Sequence, residues 1–287
     1  MVTKNSNLSL YLRIISYSVL AFTLAFLINN VLTVWSDWPG IKKIFSHHEM
    51  FGYKKKALEG SDLNYGYMQI GLYLICIAAV VFYVFKTYSQ TLEQDSKILS
   101  RFSAYLVRSS FWAVFLVGVA DFVISFMVVE RLWEAIFSPE VKALMVKAPV
   151  RITYIHFPII LISFVIGYFT KSVGFIWLAV LVVVSEFVIV LSRFIFSYEQ
   201  AFQGDLVRFW YAALYLFASA YALIHEGHVR VDVLYSSFSE KKKAWTNMVG
   251  SAVLGVPLTL IVIFLGLNGK ASIINGPVVA FEVTQQG

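Results

Sequence analysis

The sequence predicts an all-α fold, a polytopic transmembrane bundle of about seven membrane helices. First, 59% of the 287 residues are hydrophobic and only 14% are charged, whereas soluble domains average about 45–50% and 25%. Second, apolar runs reach about 20 residues, the length that crosses a bilayer. Third, these runs lack period-2 alternation, which favours helices over a transmembrane barrel.

Seven apolar segments follow one another along the chain. Arg13 interrupts the first segment early and no small-residue cleavage site follows, so we expect a retained helix rather than a signal peptide. We expect Pro158 to bend the start of the fourth segment and Pro257 to kink the seventh. Gly250 and Gly255, with Ser251, would let the seventh helix approach a neighbour closely. The segments are 10–35, 67–85, 105–129, 154–169, 175–196, 207–224 and 245–267.

Basic residues in the loops between the apolar segments predict how the chain is oriented in the membrane. Lys241, Lys242 and Lys243 lie between the sixth and seventh segments, and such clusters favour the cytoplasmic side. With seven helices, the N-terminus is then cytoplasmic as well. The net charge of +6 fits orientation and anionic lipid headgroups better than nucleic acid. The single cysteine, Cys76, excludes a disulfide framework and a cysteine-based metal site.

The connection between the sixth and seventh segments carries the most informative motif. Gly227 is suited to end a helix, and the residues after it alternate between polar side chains and valine. The polar side chains, His228, Arg230 and Asp232, therefore share one face and can bond to each other, to headgroups or to backbone. We expect residues 235–244 to form a short helix lying on the membrane interface.

The run Gly-His-Val-Arg-Val-Asp-Val-Leu-Tyr at 227–235, with its lysine-rich turn into Trp245, resembles the DctQ-like small permease of tripartite ATP-independent periplasmic (TRAP) transporters. This family often has an acidic residue near the start of the preceding helix, and here that residue is Asp205. The resemblance covers roughly 175–287. It implies a domain at 171–287, preceded by a four-helix N-terminal membrane extension at 1–170.

The resemblance implies a role rather than a reaction. Small permeases of this family pair with a large, ion-coupled TRAP permease subunit, while a periplasmic substrate-binding protein delivers an organic acid. The small subunit acts as a scaffold in the inner membrane and has no substrate site of its own. Family members usually have four helices where three fit after residue 171, so we expect a further C-terminal helix beyond the sequence.

Charges within the apolar segments are the candidate contact residues, because a charge at the centre of a membrane helix costs about 2.5–3.5 kcal/mol on insertion scales. Glu186 and Arg193 are seven residues apart and share a helix face; a structural or partner contact is the favoured interpretation. For Asp121 an ion pathway and a structural pair stay equally open. Arg108 is expected to extend toward the headgroups. The structural and partner-contact candidates are Glu186, Arg193, Asp205, Trp210, His228, Arg230 and Asp232.

The alternative function is a haem- or quinone-binding membrane anchor of an oxidoreductase. The five histidines argue against it, because the predicted topology places His156 at the outer end of its helix and His225 and His228 at the inner end of theirs. No phosphate loop, nucleophile elbow or paired carboxylates are present in the sequence, so neither an enzyme nor a cofactor is predicted. The tryptophans near helix ends fit an interfacial belt; they are Trp35, Trp38, Trp133, Trp210 and Trp245.

Overall fold

The structure, a computed structural model, describes residues 7–145, 147–170, 175–197, 201–224 and 233–275. Regular secondary structure across these ranges is helical throughout, which confirms the all-α class. Seven long helices coincide with the seven predicted segments. They are α1 (Asn7–Trp35), α2 (Ser61–Lys86), α3 (Leu92–Val129), α4 (Ile152–Phe169), α5 (Phe175–Phe196), α6 (Ala201–Ile224) and α7 (Glu240–Gly266).

The connections contain shorter pieces of helix. Ile41–His47 and the 3₁₀ turn Met50–Gly52 lie between α1 and α2, and the 3₁₀ turn Tyr235–Ser237 precedes α7. Three short helices join α3 to α4: Trp133–Ile136, Pro139–Met145 and Ala148–Arg151.

Length and composition identify the helices that can cross a bilayer. Within the described ranges, five of them, α1 to α4 and α7, are long and apolar enough to cross a membrane. Helix α6 contains the shorter apolar stretch Leu206–Ala220. Helix α5 has 22 residues and extends about 33 Å at 1.5 Å per residue. The polytopic membrane bundle is confirmed, while the exact number of spans stays a prediction.

Burial follows the pattern of a protein that uses lipid as its solvent. Many leucines, valines and phenylalanines on the helices are exposed. The fully buried side chains are polar as well as apolar: Arg13, Gln69, Ser109, Ser163, Ile44 and Val84. Apolar side chains gain nothing by leaving lipid, so small and hydrogen-bonded residues share the helix contacts with the apolar ones.

Two prolines follow widened helical turns. One residue separates Pro158 from the π-helical turn Ile152–His156, and one residue separates Pro257 from the π-helical turn Ser251–Gly255. Proline has no N–H to donate and its ring collides with the carbonyl four residues earlier. A π turn relieves this collision without ending the helix. Both helices therefore continue through their prolines.

Several helices begin earlier than predicted, and two differences from the predictions stand out. Helix α3 begins at Leu92 and has 38 residues, about 57 Å, because its charged first turns continue the predicted apolar segment without a break. The separate interfacial helix predicted at 235–244 is wrong. Lys241, Lys242 and Lys243 lie at the start of α7 itself, since no glycine or proline separates them from the apolar residues that follow.

The chain divides into two compact units. One consists of Met1–Ser96 with Asp232–Ala280, and the other of Lys97–Val231 with Phe281–Gly287. The first contains α1, α2 and α7, and the second contains most of α3 with α4, α5 and α6. The boundary predicted at residue 170 concerns family membership rather than packing, and it stays a prediction.

The first unit is held together by a buried ion pair. The Arg13 Nε lies 2.5 Å from Asp95 Oδ2, and both residues are nearly inaccessible, at 2% and 4% exposure. The Arg13 guanidinium also donates to the Thr87 carbonyl and hydroxyl at 2.9 and 2.8 Å, and Tyr17 Oη donates to Asp95 at 3.1 Å. One cation thus fixes α1 against the turn that joins α2 to α3.

The opposite end of α1 is joined to α2 and α7. Gln69 of α2 donates to Thr33 Oγ1 at 3.1 Å and accepts from the Gly40 N–H at 2.9 Å. The Asn30 amide donates to the Leu267 carbonyl at the end of α7. Phe264 of α7 stacks edge-on against Phe26 of α1, with ring centroids 4.6 Å apart. Helix α1 therefore contacts both other long helices of this unit.

In the second unit, α3 and α4 meet at small residues. A Cβ on Gly167 would lie 2.3 Å from Ser109 Oγ and 2.9 Å from the Ser109 Cα, so only glycine permits this backbone approach. The Trp112 Nε1 donates to Thr170 Oγ1 at 3.2 Å. The Arg108 Nε donates to the Gly167 carbonyl at 3.2 Å. Arg108 is half-buried, and the carbonyls at the end of α4 provide an acceptor for its Nε. The extension of its guanidinium to the headgroups stays a prediction.

We expect Asp95→Asn to lower the free energy of unfolding by about 3–5 kcal/mol, because the change leaves Arg13 buried without its counter-charge. SDS titration of the full chain in detergent micelles measures this quantity. Asp37→Asn is the matched control: Asp37 pairs with Lys270 on the surface, and removing an exposed pair costs about 0–1 kcal/mol. Equal effects of the two changes would contradict the structural role of the buried pair.

Candidate functional site: a candidate partner interface

Charged side chains inside membrane helices often belong to functional sites, because without water each charge needs an oppositely charged or hydrogen-bonding partner. Asp121 of α3 has such a partner. The Arg151 Nη1 lies 2.8 Å from Asp121 Oδ1 and 3.4 Å from Ser125 Oγ. Arg151 is buried and immediately precedes α4. The geometry therefore favours the structural interpretation of Asp121, as an ion pair that joins α3 to the start of α4.

His156 completes this cluster. Its Nε2 lies 3.3 Å from the same Asp121 oxygen, outside hydrogen-bond geometry, and it belongs to the π-helical turn of α4. A protonated His156 would form a second ion pair there. Within the described ranges no three His, Cys, Asp or Glu side chains are grouped closely enough to hold a metal ion. His225 and His228 lie outside those ranges.

Glu186 of α5 is in a different position. It is exposed, and no hydrogen bond or ion pair joins it to another residue in the parts of the chain that the structure describes. It is the twelfth of the 22 residues of α5, close to the middle of the helix. Arg193 is also exposed and lies about 10 Å farther along the helix axis, too far for direct contact with the Glu186 carboxylate.

The inner side of α5 is packed against α6. Ser185 and Ile189 of α5 are buried, and Gln203 of α6 donates to Ser192 of α5 at 3.1 Å. Ser185, Ile189 and Ser192 of α5 are spaced four and three residues apart and therefore lie on one face of the helix. Glu186 lies beside this face and not within it.

Trp210 of α6 makes a contact within the chain. It is only 5% exposed, and a Cβ on Gly118 of α3 would lie 2.4 Å from its Nε1. Trp133, at 6% exposure, is buried too. The prediction of an interfacial belt is wrong for these two tryptophans, because each indole packs against protein. Tyr211, the neighbour of Trp210, is exposed.

The predicted junction motif lies outside the described residues. This holds for His228, Arg230 and Asp232, and for the Asp205 side chain, although the Asp205 backbone belongs to the first turns of α6. The role assigned to these four residues stays a prediction. Gly250 and Gly255, which were expected to allow a close helix approach, face open space in the described part of the chain.

Sequence inspection missed two of these partners. The pairing of Arg151 could have been suspected from the sequence. Arg151 lies just before the fourth apolar segment, and the segment before that one contains the acid Asp121. Gly118 had none, because a single glycine in an apolar run does not indicate which helix approaches it.

A comparison with known protein families identifies part of the chain. Residues 179–280 match the family model described as tripartite ATP-independent periplasmic transporters, DctQ component. The matched range runs from α5 through α7 and contains the motif at 227–235. No curated protein and no solved structure matched the chain.

The Gly118 contact generates a prediction about α6. Gly118→Ala should lower the free energy of unfolding by about 1–3 kcal/mol, since the added methyl group overlaps a buried, rigid indole. Gly204→Ala, in α6 itself, is the control. A Cβ there meets no atom within 4 Å, so alanine should raise stability by about 0.5–1 kcal/mol through its helix propensity. SDS titration in micelles compares them, and a neutral Gly118→Ala would contradict the close approach.

Proposed function

Because residues 179–280 are a DctQ domain, the small membrane component of tripartite transporters, we propose that this chain is the small subunit of a TRAP-type importer of organic acids. In this proposal it scaffolds a large, ion-coupled permease subunit in the inner membrane. A periplasmic substrate-binding protein delivers the substrate to that complex. The family match, with the motif at 227–235 inside it, is the observation that carries the proposal.

The arrangement of charges supports a scaffold. Arg13 with Asp95, and Asp121 with Arg151, are partnered pairs that join helices of this chain. Such pairs fix helices in place and offer no open path for an ion. Recognition of the substrate and coupling to ions would then belong to the large subunit.

The N-terminal extension at 1–170 supports the DctQ helices in this proposal. In the first unit, α1 contacts α7 through Asn30 and Phe26. In the second unit, Gly118 of α3 contacts Trp210 of α6. These contacts favour an extension that braces the matched domain over a separate module with its own ligand.

We assign the junction role to Asp205, His228, Arg230 and Asp232, at the ends of α6. With Lys241, Lys242 and Lys243 on the cytoplasmic side, His228, Arg230 and Asp232 belong to the cytoplasmic edge of the membrane, where polar side chains remain within reach of water and headgroups. Asp205, in the first turns of α6, belongs to the opposite edge.

The rival hypothesis, a haem- or quinone-binding anchor, makes a different spectroscopic prediction. A haem subunit purified from membranes would show a Soret absorbance band, and a colourless preparation would exclude that version.

Co-purification tests the proposed role directly. We expect the full chain, tagged and extracted in mild detergent, to retain one large TRAP permease subunit that is co-expressed with it, identified by mass spectrometry. Recovery of a soluble redox subunit in its place would overturn the proposal.

Arg230→Ala should lower co-purification and organic-acid uptake, because Arg230 supplies the cation of the junction motif. The affinity of the purified substrate-binding protein should not change, since that protein binds its ligand alone. Lys241→Ala is the matched control: it removes one exposed positive charge nearby but leaves the motif intact. Full assembly and uptake with Arg230→Ala would contradict the junction role.

A further inference from the structure

Helix α5 presents two exposed flanks, one on each side of the face that packs on α6. Successive residues are about 100° apart around a helix, which places residues 183, 186, 190 and 193 on one flank. We call this flank the Glu186 face; it consists of Val183, Glu186, Val190 and Arg193. The other flank is apolar and bulky, and it consists of Trp177, Val184, Leu191 and Ile195, all exposed.

One flank of α5 is suited to lipid and the other to a polar partner. Large apolar side chains on the second flank are what a lipid-facing helix surface requires. The Glu186 face instead has a carboxylate near the middle of the helix, flanked by the exposed valines Val183 and Val190. An ionised carboxylate at this depth needs a cation or a hydrogen-bond donor beside it.

The described part of this chain provides no such donor for Glu186. The buried arginines are used elsewhere: Arg13 binds Asp95, and Arg151 binds Asp121. Arg108 of α3 donates to the Gly167 carbonyl. The donor must therefore come from outside the described residues, and its depth indicates another membrane helix rather than a soluble protein.

We propose that the Glu186 face seats one transmembrane helix of the large permease subunit, and that this helix carries an arginine or lysine at the depth of Glu186. The inference rests on the proposed function, which provides a large membrane partner. A second copy of this chain fits poorly. A twofold axis normal to the membrane brings the same residue of both copies to the same depth, so two carboxylates would face each other.

The shape of the face agrees with a helix as its occupant. Val183 and Val190 lie one turn before and after Glu186, and their short β-branched side chains leave the carboxylate accessible between them. A partner helix can thus approach closely enough for its basic side chain to reach the carboxylate. On the opposite flank, Trp177 would hold a helix farther away.

Photo-crosslinking in membranes tests the position of the partner. The full chain, with a benzoylphenylalanine at Val190, is co-expressed with the large TRAP permease subunit, and crosslinked peptides are sequenced. We expect crosslinks to one membrane helix of that subunit, with an arginine or lysine within about one turn of the crosslinked residue. The same probe at Val184, on the apolar flank, should not reach that helix.

Charge variants test the chemistry. Glu186→Lys should reduce the co-purified large subunit about tenfold or more, because a basic partner then faces a like charge, and Glu186→Gln should reduce it less. Val184→Gln, which adds an amide at similar depth on the other flank, should leave co-purification per folded chain unchanged. The Tm of the chain purified alone should not fall in Glu186→Gln, whereas Asp121→Asn should lower it.

The outcomes separate this inference from the function on which it rests. If the large subunit co-purifies but Val190 crosslinks only to lipid or to a second copy, the inference is overturned and the proposed function survives. Wild-type co-purification with Glu186→Lys overturns it as well. If the large subunit never co-purifies with the wild-type chain, the proposed function itself fails.

Discussion

The absence of water around the membrane helices constrains this structure more than any other factor. Apolar side chains gain nothing by packing together in lipid, so helix contacts depend on close approach and on polar bonds. Arg13 illustrates the consequence. It is the only charge between Lys4 and Asp37, and it is bound by Asp95, Thr87 and Tyr17. Without Asp95, a guanidinium buried among helices would have no counter-charge. The same requirement explains why Arg151 lies beside Asp121.

Close approach and polar bonds also join helices that lie outside the family match to helices inside it. Gly118 belongs to α3, outside the matched range, while Trp210 belongs to α6, inside it. In the other unit, Asn30 of α1 bonds to the end of α7. Each compact unit therefore contains helices from both parts of the sequence. A domain defined by family resemblance and a unit defined by packing are different divisions of this chain, and only the second describes what stabilises it.

Much of the fold could be predicted from sequence, because a membrane helix is signalled by a local property, its length of uncharged apolar residues. All seven long helices coincide with predicted segments, and α5 agrees to the residue. The pairings could not be predicted in this way. Arg13 and Asp95 are separated by 82 positions, and nothing local in either segment specifies the other. The π-helical turns before Pro158 and Pro257 depend on how a continuing helix accommodates proline. The motif around Arg230 was recognised through its resemblance to the family alone.

A single unmatched charge can specify a partner where many apolar contacts cannot. Lipid tails and leucine side chains offer a helix nearly the same environment, so an apolar flank does not fix the depth or rotation of a neighbour. A carboxylate near the middle of α5 fixes both, because a cation on the partner gains its full interaction at one depth and one rotation. A polar residue at one position in a coiled coil sets register by the same logic, at a cost in stability. In the proposed complex, a scaffold subunit needs that specificity more than it needs stability, and pairing Glu186 within its own chain would remove it.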